Sequence, residues 1–104
     1  ATQNTAVSPK VTIDEPQKNY EIAYYLRTEN YVSGGTALWV NEFDASGNWL
    51  TGQWLGGNYA SADQVAKYTF KATSVATKSI ELHFFTENQS SLTLYIDNVS
   101  VVKQ

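Results

Sequence analysis

Apolar side chains recur two positions apart along most of this chain, the period of a strand with one buried face. The pattern is plainest near the end. There Leu92, Leu94 and Ile96 alternate with polar residues, an Asp97-Asn98 pair interrupts, and Val99 and Val101 resume the alternation. The same period marks residues 20–28, 36–43, 65–72 and 79–85, and more weakly 49–55. A short strand at 11–13 is ended by Asp14, Glu15 and Pro16. No segment carries a 3.6-residue period, and the Thr, Val, Tyr and Ser content favours strands. Between the strands lie a loop at 29–35 with a Gly34-Gly35 pair, a turn at 44–48 with Gly47 suited to positive φ, a glycine-containing loop at 56–63 and a turn at 87–91.

Seven short strands separated by turn signals predict one all-β domain over residues 1–104, an antiparallel β-sandwich of jelly-roll-like form. Residues 1–9 read as a polar lead-in or edge segment. Strand parity puts Ile22, Tyr24, Leu26, Leu38, Val40, Tyr68, Phe70, Ile80, Leu82, Phe84, Leu94 and Ile96 in the core. For 36–43 the opposite register would bury Trp39 and Phe43 and expose Glu42.

The chain has 104 residues, with three Trp, seven Tyr and four Phe. A core of this size cannot enclose so many rings, so some of them face outward as contact surface. The net charge of −3 and the lack of a basic stripe argue against nucleic-acid binding. No apolar run reaches membrane-spanning length. Without cysteine there is no disulfide framework, thiolate metal site or Cys nucleophile. The start at Ala1 rather than Met suggests a processed or excised form.

Parity turns Tyr25, Arg27, Trp39, Asn41, His83 and Phe85 outward. Rings beside Arg and Asn suit a sugar, whose C–H face stacks on an aromatic plane while its hydroxyls need donors and acceptors. Trp49, Trp54 and Tyr59 form a second aromatic set among Asn48, Gly52, Gln53, Gly56, Gly57 and Asn58, which reads either as a loop-borne sugar site or as an anchor for that loop. The candidate ligand-binding residues are therefore Tyr25, Arg27, Trp39, Asn41, His83, Phe85 and Trp54. Catalysis is not expected. His83 is the only histidine, and no nucleophile stands in a recognisable context. Asp44, Asp63, Glu42 and Glu81 would have to supply any acid–base pair, and Asp44 heads a turn, where Asp serves the backbone. Asp97 is an isolated metal candidate. Sequons at Asn88 and Asn98 read as chance.

The segments Tyr20 to Thr28, Leu38 to Asn48, Lys67 to Phe70 and Tyr95 to Val99 occur in an order that resembles jelly-roll carbohydrate-binding modules appended to secreted glycoside hydrolases. The resemblance covers residues 11–103. It implies a non-catalytic, extracellular module that binds a polysaccharide or oligosaccharide. It also implies a structural calcium held between an early Glu and a late Asp. Asp97 matches the late Asp, but the early Glu has no counterpart, because the strands that open such modules do not precede Val11. That departure motivates a rival reading, a structural subunit of an extracellular assembly or filament. There the chain would self-associate through a sheet edge and be completed by strand exchange with a neighbour.

Overall fold

The computed structural model describes residues 5–87 and 90–104, with the side chains of residues 5 and 6 excepted. The turn expected at 87–91 and the sequon at Asn88 fall partly or wholly outside the described residues. The described residues form eight strands: β1 (Thr5–Val7), β2 (Val11–Thr12), β3 (Tyr20–Ser33), β4 (Thr36–Phe43), β5 (Trp49–Asn58), β6 (Asp63–Phe70), β7 (Ser79–Thr86) and β8 (Ser91–Lys103). They form two antiparallel sheets packed as a sandwich, as the alternation predicts. One sheet has five strands, with β1 and β2 both on the outer edge of β7, followed by β4 and β5; the other has the order β6-β3-β8.

The segment read as a polar lead-in or edge segment thus supplies an edge strand. β1 and β2 lie end to end along β7, with Val7 opposite His83 and Val11 opposite Ile80. Pro9 has no N–H for the ladder. Ser8 bridges the break, donating its N–H to the Leu82 carbonyl at 2.9 Å and accepting the Leu82 N–H on Oγ at 3.0 Å. The pairings nest: β4 with β5, β3 with β6, and β1/β2 with β7. β8 is the outermost member of this nest. It pairs with β3, and no other described strand pairs with it.

Several strands run past their expected ends. β3 continues to Ser33 because Glu29 pairs with Thr93 and Ser33 with Ser91 across β8. β8 crosses the Asp97-Asn98 interruption without a break. Asn98 adopts a positive φ of 54°, and the Asp97 carboxylate accepts the Asn98 N–H at 2.8 Å. The result is a bulge, which absorbs one extra residue and keeps Val101 facing inward. The 44–48 turn forms as expected, with Gly47 at φ 83° and Asp44 Oδ1 accepting the N–H groups of Ser46 and Asn48.

The core contains Ile22, Tyr24, Leu26, Leu38, Val40, Phe70, Ile80, Leu82 and Phe84, with Tyr68, Leu94 and Ile96 half-buried against it. Tyr24 spans the two sheets, its ring edge-to-face with Phe84 at 4.8 Å. Burial, and then the neighbouring Tyr68, push its phenol pKa upward. The register that buries Leu38 and Val40 also buries Glu42 completely, at 0% exposure. Its carboxylate accepts the Thr73 N–H at 2.9 Å, the Thr77 hydroxyl at 2.7 Å and the Gln53 amide at 3.0 Å. A charge on the inner face therefore holds the β6–β7 connection against the sheet, and the alternative in which Glu42 is exposed is excluded.

Lys103 ties the last strand to the β2–β3 turn, with Nζ 3.2 Å from Asp14 and 2.8 Å from Glu15. The Tyr20 hydroxyl donates to Asp14 at 2.8 Å. This bond, and then Lys103, hold the Asp14 carboxyl below the usual carboxylate range. A lowered folded-state value adds stability that is present above the unfolded value of about 3.9 and is lost as the pH falls through the folded one. Tyr20→Phe is expected to make the acid limb of a melting-temperature profile shallower than that of the parent. Superimposable acid limbs would contradict the assignment.

Candidate aromatic binding face

From Leu38 onward β4 alternates between buried and more exposed residues, so Trp39, Asn41 and Phe43 share the outer face of the five-stranded sheet. His83, Glu81 and Phe85 share the same face on β7, with His83 opposite Trp39 and Glu81 opposite Asn41. On β5, Trp54 lies opposite Trp39, Gly52 opposite Asn41 and Trp49 opposite Phe43. Trp49 and Trp54 are five positions apart, which in a regular strand would put them on opposite faces. Leu50 is an extra residue at a bulge between the Glu42–Thr51 and Phe43–Trp49 pairs, and it brings both rings to one side. The three tryptophans are exposed by 36% (Trp39), 60% (Trp49) and 50% (Trp54).

Asn41 is the hub of this face. Its Oδ1 accepts the indole N–H of Trp39 at 2.8 Å and that of Trp49 at 3.0 Å, while Nδ2 lies 3.0 Å from His83 Nε2. The Trp39 ring lies across Gly52, where a Cβ would come within 2.6 Å of the indole and 2.8 Å of Asn41 Oδ1. Glycine is thus required there by close approach. Gly52→Val is expected to lift the indole off the strand and alter the near-ultraviolet circular dichroism of the tryptophans, leaving the far-ultraviolet strand signal unchanged. An unaltered near-ultraviolet spectrum would show that the ring does not rest on this position. Charge on the face is sparse: Glu81 lies beside His83, and Lys10 sits 4.2 Å above the Phe43 ring.

The structure gathers Trp39, Asn41, His83, Phe85 and Trp54 and separates Tyr25 and Arg27 from them. β3 belongs to the other sheet, so its outward residues lie on the opposite side of the sandwich. There the Arg27 guanidinium stacks over Tyr95 at 4.5 Å and pairs with Glu29 at 3.0 Å. The expectation that Trp39, Tyr25 and Arg27 share one surface is corrected, because equal strand parity does not reveal which sheet a strand joins. Trp49, expected in a second set, joins the main face, and Tyr59 lies toward the end of that face where Gly57 is opposite Ala37. Its ring packs close to Gly35 and Gly57, and its hydroxyl donates to Glu87 at 2.8 Å. Asn41 was expected to meet sugar hydroxyls, but its amide is occupied by the neighbouring rings. Asp97 serves the β8 bulge, and among the described residues no three His, Asp or Glu side chains group to hold a metal.

No family model matches the chain. No curated protein matches it either. A chain from the structure of infectious bursal disease virus, Gx strain, is similar in fold. It has a TM-score of 0.59 at 18% identity, covering 97% of this chain and 27% of that one. This chain therefore spans about a quarter of the length of that neighbour. At such identity the likeness extends to the fold alone, a β-fold in both.

The face has the chemistry of a stacking platform. Three exposed indoles offer flat apolar area, and two of them have their ring N–H already bonded within the protein. The other polar groups on the face include Glu81, Lys10, His83 and the Trp54 indole N–H.

Proposed function

We propose that the chain is a non-catalytic carbohydrate-binding module, acting outside the cell, whose outer five-stranded sheet face binds a polysaccharide or oligosaccharide. The observation that carries the reading is the convergence of Trp39, Trp49 and Trp54 on one solvent-facing surface, two of them held by one amide. Exposed tryptophans cost apolar hydration unless something covers them, and the C–H faces of pyranose rings do so. Trp39 and Phe43 are four positions apart on β4, about 13 Å at strand rise. The platform is therefore long enough to meet more than one ring of a chain.

A second reading is supported by two other observations. The fold likeness to a chain of a virus structure, together with the outer side of residues 93–103 of β8, which faces no other strand among the described residues, suits a subunit of an assembly that accepts a strand from a neighbour. Retention on insoluble polysaccharides, measured alongside sedimentation velocity, separates the two. The module reading expects a retained monomer. Unretained protein that sediments as large particles would replace it with the assembly.

A further inference from the structure

Hydrogen-bond chemistry fixes the orientation of the Asn41 amide. An indole N–H can only donate, so the atom shared by Trp39 and Trp49 must be the amide oxygen. The amino group then faces His83 and can only donate, so His83 Nε2 must accept with its lone pair. In this arrangement the imidazole is the neutral form with its proton on Nδ1. Glu81 Oε1 lies 3.3 Å from the same Nε2. It cannot bond while Nε2 carries a lone pair, since both atoms are then acceptors. A proton on Nε2 reverses this. The ring would bond Glu81 and face the Asn41 amino group donor to donor.

Resting on the reading of this face as the binding surface, we propose that Asn41 is its positioning residue and couples the Trp39 and Trp49 indoles to the protonation state of His83. With His83 neutral the amide is held from both ends and the rings are fixed. With His83 protonated the amide loses its anchor on β7, and the two indoles loosen together. The groups around the imidazole allow this. Glu81 on the same strand is the carboxylate that attracts the proton. β4 faces it with Trp39 and Asn41, its one carboxylate, Glu42, being turned into the core. β1 places Val7 opposite it. Lys10, between β1 and β2, is over Phe43. β5 carries no charged residue. Trp54, for which no bond to Asn41 is seen, serves as an internal reference.

The test follows the three indole N–H signals by ¹H–¹⁵N NMR from about pH 8 to about pH 5, the span in which imidazoles titrate, in the parent and in His83→Gln, Asn41→Ala and Glu81→Gln. Trp39 and Trp49 are expected to shift together with the midpoint of the His83 ring signals, and Trp54 to shift much less. His83→Gln should abolish the transition. Glu81→Gln should keep it. Asn41→Ala should uncouple the indoles from a histidine that still titrates. Indoles indifferent to pH in the parent, or a transition that survives His83→Gln, would overturn the coupling. Retention on polysaccharide is read separately at the high-pH end. Coupling without retention would refute the binding reading alone, and retention without coupling would refute this proposal alone.

Discussion

Glu42→Ala is expected to lower folding stability by about 3 kcal/mol, the scale for losing charge-assisted hydrogen bonds and stranding their buried donors. The carboxylate is wholly buried and receives the Thr73 N–H, the Thr77 hydroxyl and the Gln53 amide. Thr77 is itself buried, so its hydroxyl has little access to water. Glu42→Gln keeps the volume and one acceptor but turns an amino group toward donors, so about half of that loss is expected. Urea unfolding of the three proteins checks this. A Glu42→Ala variant within about 0.5 kcal/mol of the parent would mean that water or another acceptor replaces the carboxylate. Equal effects of alanine and glutamine would place the cost in the charge rather than in the donors.

Trp39→Ala is expected to weaken polysaccharide binding by at least about 30-fold, the loss typical of a central aromatic anchor. Trp39 sits mid-face, flanked by Trp54 on β5 and His83 on β7. Its removal takes away stacking area and one of the two indole bonds to Asn41. Trp49, farther along the sheet and opposite Phe43, should lose less when replaced. Binding isotherms on the retaining polysaccharide, with far-ultraviolet spectra to confirm folding, give the comparison. A folded Trp39→Ala protein that binds like its parent would remove the platform.

The fold was legible where period-two alternation was strong. β4 and β7 have the expected registers, and their inward residues form the core. Three features escaped for identifiable reasons. β1 is only three residues long, and its pairing to β7 is accompanied by Ser8 bridging a proline, a long-range contact with no local signature. The union of Trp49 with Trp39 depends on a bulge at Leu50, one inserted residue that reverses parity without any glycine to announce it. The separation of Tyr25 and Arg27 from Trp39 depends on how strands are assigned to sheets, and alternation within a strand is silent about its neighbours. The internal bonds of Asn41 were not legible for a simpler reason. Asn41 has the right chemistry for a sugar hydroxyl, yet the same donors and acceptors serve two indoles and an imidazole that lie nearer.

The account rests on one sheet face being the binding surface, and the most direct measurement compares the two faces of the sandwich in one experiment. Depletion isotherms on insoluble polysaccharide would be recorded for the parent, for Trp39→Ala and Trp54→Ala on the five-stranded sheet, and for Tyr25→Ala and Arg27→Ala on the three-stranded one. Retention of the parent, with loss confined to the tryptophan variants, is the predicted result. A parent that no polysaccharide retains, or a loss that follows Tyr25 and Arg27 instead, would contradict it.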